Sequence, residues 1–232
     1  MNTTTLNLQT PSPSLGTSIQ QQVDEAIGNL MASLPDAKTL SAEQRRGIIA
    51  RYTAVLEGNF IYWMTGALLA VNTEQARAII VDNLHEEVRD SHPNMLRKFA
   101  LAAHAVPTEE DAQTIYRDLT NVRLFVGRLA TVPLLITMAF FEGFIQKFMA
   151  YLSELASDQG SAEMEYTDVH GVCDIAHTQG LFNALDEEIA VNPPEPETNL
   201  FEGVGLLSSL IRTIVHNPTS IHGAKTNGVK PV

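Results

Sequence analysis

Three segments of this chain carry side chains able to hold a transition metal. The richest is His170-Gly-Val-Cys173-Asp174-Ile-Ala-His177. Positions i, i+4 and i+7 of a helix lie on one stripe, so the spacing predicts that His170, Asp174 and His177 point the same way. Two imidazoles and a carboxylate on one face suit a borderline ion such as Fe(II) or Mn(II). The second segment is Met138-Ala-Phe-Phe-Glu142-Gly-Phe-Ile145. A carboxylate between apolar residues is costly unless it is paired or bound to a metal. The third is Asn83-Leu-His-Glu86-Glu87-Val-Arg-Asp-Ser-His92-Pro93. Pro93 disfavours helix at His92, so the separation from either glutamate to His92 need not follow the helical wheel. Each piece alone has an ordinary reading: a solvated polar face, a buried ion pair, an acidic pair beside a helix cap. Together they supply three histidines and three carboxylates on three helices, the ligand inventory of a dinuclear iron carboxylate site in a bundle. The ferritin-type Glu-x-x-His pair does not occur.

The elements that must position these residues read as helices. Prolines separate long proline-free segments, and hairpin signals are missing from the middle of the chain. Helices are expected over about Ser18–Leu34, Ser41–Val71, Thr73–Asp90, a short one from Pro93, Thr108 to near Ala130, Pro133–Ala156, Ala162–Ala190 and Leu200–His216. Ser41 with Gln44 resembles a capping box, and Thr73 is an N-cap type. Pro93 suits a first turn. The fold class expected is an all-α bundle of seven to eight helices. One helical domain spans 17–216, between flexible ends at 1–16 and 217–232 that are rich in Thr, Ser, Asn, Gly and Pro.

Composition narrows the partners. The 232 residues carry 27 acidic and 15 basic side chains, a net charge of −12. Such a charge repels phosphate backbones and anionic lipid, so no nucleic acid and no membrane surface is expected. The lone Cys173 can form no internal disulfide, which fits a reducing, cytoplasmic setting. The first fifteen residues lack the basic start and apolar run of a signal peptide. The apolar stretch Val132–Phe141 is interrupted by Thr137 and ends at Glu142, far short of the roughly 20 residues of a spanning helix. A small-molecule substrate is the expected partner, with a homodimer left open.

Asn83-Leu-x-Glu-Glu87 with His92, then Glu142, then His170-x3-Asp174-x2-His177 resembles the haem-oxygenase-like diiron oxidase and oxygenase superfamily, over roughly Arg51 to Glu188. Carried over by position, the resemblance implies metal ligands at Glu87, His92, Glu142, His170, Asp174 and His177, with Glu142 bridging. Glu86 is the alternative to Glu87 if the register differs by one. Glu57, flanked by apolar residues on the second helix, matches the place where some members carry an extra catalytic carboxylate that moves onto the metal during turnover. The resemblance implies two iron ions that bind O2 as co-substrate and form a peroxo-bridged diferric species. That species would oxidise a small amino acid, amine or fatty acid. The small members that act on free amino acids are the nearest in length, and one that turns a halogenated tryptophan into a nitrile is the specific candidate. Histidines bind metal only when neutral, so occupancy should fall in acid.

Tyr62, Trp63, Phe140 and Phe141 are candidate pocket residues from their positions near Glu57 and Glu142; plain core packing is the alternative. An amino-acid substrate would need a cation for its carboxylate, and Arg51, Lys98 and Arg123 are available. Competing readings are the metal-free thiamin-degrading or quinone-cofactor-forming enzymes of the same bundle, and a non-catalytic helical module. The thiamin-degrading reading needs a catalytic cysteine backed by a carboxylate. Cys173, off the Asp174 stripe, reads instead as a small buried hydrophobe.

Overall fold

A computed structural model describes residues 15–216. The expected flexible ends lie almost wholly outside the described residues. Eight α-helices and a single 3-10 turn follow one another, with no strand among the described residues: α1 (Leu15–Ala32), the turn at Ala37–Thr39, α2 (Ala42–Ala70), α3 (Glu74–Arg89), α4 (His92–Ala102), α5 (Glu109–Val126), α6 (Thr131–Ser157), α7 (Glu165–Val191) and α8 (Glu202–His216).

Local chemistry sets the starts. Ser41 accepts from the Gln44 backbone while the Gln44 side chain accepts from the Ser41 N–H, a complete capping box at α2. Thr108 and Asp111 do the same at α5, and Thr73 accepts from the Ala76 N–H at α3. Ser91, in a left-handed conformation (φ 58°), separates α3 from α4, and Pro93 falls in the first turn of α4.

α6 is the central element. It packs along α7 and also touches α1, α2 and α8, while α3 and α4 lie against α7 and α2. Most of α6 is buried, which explains its apolar character. The helix outruns the apolar stretch seen in the sequence: by length and composition it is long and apolar enough to cross a membrane, yet 83 % of that window is buried inside the protein. Phe140, Phe144 and Phe148 stack along one stripe of it, with ring centroids 6.5 and 5.0 Å apart. Phe141, Glu142 and Ile145 occupy the next stripe and face a cavity.

Two details fix where the metal-type residues meet. Glu188 on α7 is fully buried and accepts from the backbone N–H groups of Asn72 (2.8 Å) and Thr73 (2.7 Å), locking the start of α3 to α7. α2, in turn, is broken at Glu57 (ψ 92°) and Gly58 (φ 87°). The second of these is a left-handed conformation natural only to glycine.

Candidate metal centre

α3, α4, α6 and α7 converge on one buried cluster. Glu87, His92, Glu142, His170 and Asp174 are each no more than 6 % exposed, and all five line a common cavity with Leu56, Phe60, Ile61, Leu96, Phe141 and Tyr166. The void is about 30 Å³, roughly space for two waters.

Half of the cluster is Glu87, His92 and His170, whose ligand atoms lie within 4.8 Å of one another. His92 Nδ1 donates to Glu87 Oε1 at 2.8 Å, and His170 Nε2 stands 3.7 Å from the same oxygen. The helix break at Ser91 makes the first contact feasible, because it turns His92 back toward the α3 residue five places earlier. His170 Nδ1 lies 2.9 Å from the Tyr166 carbonyl. A carbonyl only accepts, so Nδ1 carries the proton and Nε2 keeps its lone pair for the cluster. Burial alone would raise the Glu87 pKa, but the facing His170 and His92 imidazoles outweigh it and hold the carboxylate at about 2.

The other half joins Asp174 and His177 to Glu142. His177 Nδ1 lies 3.7 Å from Asp174 Oδ1 and 3.8 Å from Glu142 Oε1. These separations are too long for hydrogen bonds and close to the roughly 3–4 Å between two ligands that each lie ~2.1 Å from one ion. His177 Nε2 donates to Glu86 Oε2 at 2.9 Å, leaving Nδ1 for the cluster. Glu86 therefore orients His177 from behind, as a carboxylate behind a ligating histidine does. Asn83 Nδ2 donates to Glu142 Oε1 at 2.8 Å. Three buried atoms in this half have no hydrogen-bond partner: Asp174 Oδ2, His177 Nδ1 and Asn83 Oδ1. Unpartnered polar atoms of this kind, clustered with carboxylates, fit a cation. Burial and the Asp174 charge push the Glu142 pKa well above the carboxylate range, against His177 and Asn83. Burial lowers that of His177, but Asp174, Glu142 and Glu86 together push it up to about 9.

The remaining expected residues fall elsewhere. Glu57, at the α2 break, is exposed and pairs with Arg97 of α4, so the structure does not bring it to the cluster. Tyr62 points outward at 45 % exposure. Trp63 is fully buried and stands edge-on to Phe141 at 5.2 Å; with Phe140 it belongs to the core, and of the four aromatic candidates Phe141 alone lines the cavity. Cys173 is half-buried and donates to Asp174 Oδ1 at 3.2 Å, so it is a hydrogen-bonding neighbour of the cluster where sequence suggested a buried hydrophobe. Burial and Asp174 raise its pKa, which keeps the thiol protonated and lends no support to thiolate catalysis. The structure adds Asn83, Glu86 as an orienting group, and Tyr166. Asn83 and Glu87 are one helical turn apart on α3, a spacing from which a shared face could have been read.

A buried cluster of histidines and carboxylates at the heart of an all-helical bundle is a donor set that fits a transition-metal ion. A family model described as iron-containing redox enzyme matches residues 50–210, and the chain belongs to that family. No curated protein and no solved structure matches it significantly.

Proposed function

We propose that this iron-containing redox enzyme is an O2-dependent, non-haem oxidase or oxygenase that holds two irons and oxidises a small, amino-acid-like substrate. Glu87, His92 and His170 would hold one ion; Asp174 and His177 would hold the other, with Glu142 between them. The observation that carries this reading is the pair of orphaned buried atoms, Asp174 Oδ2 and His177 Nδ1, the latter 3.8 Å from Glu142, with Asp174 and Glu142 lining the same cavity as the Glu87 triad. Bound iron supplies the electrons that reduce O2.

The chain's own groups do the rest. Tyr166 and Glu86 fix the two histidine tautomers through a carbonyl and a carboxylate. Asn83 orients Glu142 with one N–H. Leu56, Phe60, Leu96, Phe141 and Ile145 form apolar walls that exclude water and strengthen every electrostatic contact inside. A tryptophan-type amino acid, converted to a nitrile, is the first substrate to try.

The test is anaerobic Fe(II) titration of the metal-free protein, counting bound iron. About two per chain are expected, falling to about one in His170→Ala and in His177→Ala. No uptake, or uptake indifferent to both substitutions, overturns the reading.

A further inference from the structure

The His177 half of the centre draws two donors from α7, and that helix offers a third. Cys173 precedes Asp174 and stands four residues before His177, the spacing that puts a cysteine and a histidine on one face of a helix. Ligand atoms of Cys173, Asp174 and His177 all lie within 4.8 Å of one another. Their hub is one oxygen, Asp174 Oδ1: Cys173 Sγ lies 3.2 Å from it and His177 Nδ1 3.7 Å.

A cysteine beside a carboxylate is not a site on its own, because a thiol readily donates to a neighbouring oxygen. Two further observations point to a ligand. Asp174 is 1 % exposed, and its second oxygen, Oδ2, has no hydrogen-bond partner among the described residues. His177 Nδ1 is likewise buried and unpartnered. An ion would satisfy both atoms at once. The separations suit one as well. Donors about 2.3 Å (sulfur) and about 2.1 Å (oxygen) from a common ion stand ~3.1 Å apart in octahedral and ~3.6 Å apart in tetrahedral geometry, a range that contains the Sγ–Oδ1 distance.

We infer that Cys173 is a third α7 ligand of this half, acting as a ligand and not as a nucleophile, so that the two halves of the centre differ in kind. This rests on the metal reading of Asp174 and His177 above. The Glu87 half offers two imidazoles and a carboxylate, whereas the His177 half offers a thiolate, an imidazole and a carboxylate beside Glu142. When an ion binds, the S–H bond breaks, its electron pair goes to the ion and the proton leaves to solvent. The proton that Cys173 seats on Asp174 Oδ1 in the metal-free chain thus marks the place the ion takes. Thiolate is a soft donor. The His177 half therefore takes a thiophilic ion such as Zn(II) or Cd(II) ahead of a hard one such as Mn(II), a preference that the all-nitrogen-and-oxygen half lacks.

The probes are Co(II) and Cd(II), titrated anaerobically into the full metal-free chain. A thiolate gives either ion an intense near-ultraviolet charge-transfer band that imidazole and carboxylate do not. The band should saturate at about one equivalent and vanish in Cys173→Ser and in Cys173→Ala. Both variants should bind Cd(II) at this half roughly tenfold or more weakly, and keep their Mn(II) affinity within about twofold. Asp174→Asn should weaken the sulfur-bound ion by a similar factor. A band that forms as tightly in Asp174→Asn as in the parent would mean a lone thiol taking the ion, and overturns the inference. Two Co(II) per chain without the band, or unchanged Cd(II) affinity in Cys173→Ser, also overturns it and leaves the metal reading intact. One sulfur-bound ion without a second supports the inference and sinks the two-iron count alone. No uptake of either ion overturns both.

Discussion

Metal binding by this cluster should be a competition with protons, and its strength can be worked from His177. In the metal-free protein that imidazole is raised to about 9, so at pH 7 it is cationic. The Nε2 proton stays on the ring, donated to Glu86, and an ion must therefore displace the proton from Nδ1. A gap of about two pH units costs roughly a hundredfold in affinity at neutrality. The Glu142 carboxyl, raised by burial and the Asp174 charge, shifts the competition in the same sense. Apparent Co(II) affinity should thus rise at least tenfold per pH unit between about pH 6 and 8, with one to two protons released per ion at the His177 half. Anaerobic titration in weak buffer with an indicator dye reads both quantities. The sign for folding is the opposite. His177 has a folded pKa above its unfolded value of about 6.5, so its proton stabilises the metal-free fold fully below that value. That contribution disappears as pH rises through about 9. A dissociation constant that is flat across this range, with no proton release, would refute the assignment of His177 as a ligand through Nδ1.

Other outcomes follow from packing and hydrogen bonds. Asn83→Ala should weaken Co(II) binding roughly tenfold, because Glu142 loses the donor that favours its charged form; metal titration checks this. Glu188→Ala strands two buried N–H groups at the start of α3 and should cost about 2–4 kcal/mol in urea denaturation. The folded Glu188 pKa is depressed, so the stability it adds holds above the usual carboxylate range and is lost as pH falls through its folded value. In Gly203→Ala a new methyl meets Thr137 Oγ1 and the Phe125 ring, which should cost about 1–3 kcal/mol and loosen α8 first, as amide exchange would show.

Much of this architecture was legible in the chain. Helix starts came through because Ser41, Thr73 and Thr108 cap by local chemistry that needs no tertiary partner. The His170, Asp174, His177 stripe came through because helical periodicity is rigid, and α7 runs unbroken across it. The register of the glutamate pair did not follow from spacing. Both are used, Glu87 within the cluster and Glu86 behind His177, and only the break at Ser91 decides which faces His92. Glu57 and Tyr62 lie outside the cavity lining for one reason. The apolar neighbours of Glu57 imply an inward face and Tyr62 was placed from Glu57, but the Glu57-Gly58 break resets the helical phase, and no periodicity carries through it. Trp63 was correctly near Phe141 but belongs to the core, since proximity in sequence to a site residue does not settle which side of a helix a ring occupies.

The same interruption has a support that reaches well beyond the cavity. Where α2 loses its regular hydrogen bonds, the Asn59 amide donates to the Val55 carbonyl, and Arg123 of α5 donates in turn to the Asn59 oxygen. The α2 break, beside the cavity-lining Leu56, Phe60 and Ile61, is therefore braced by a helix that contributes no side chain to the cavity. Substitutions along α5 that disturb Arg123 would shift those three apolar walls while leaving every metal-type residue in place, so sequence drift there is a route to altered ligand choice without altered chemistry.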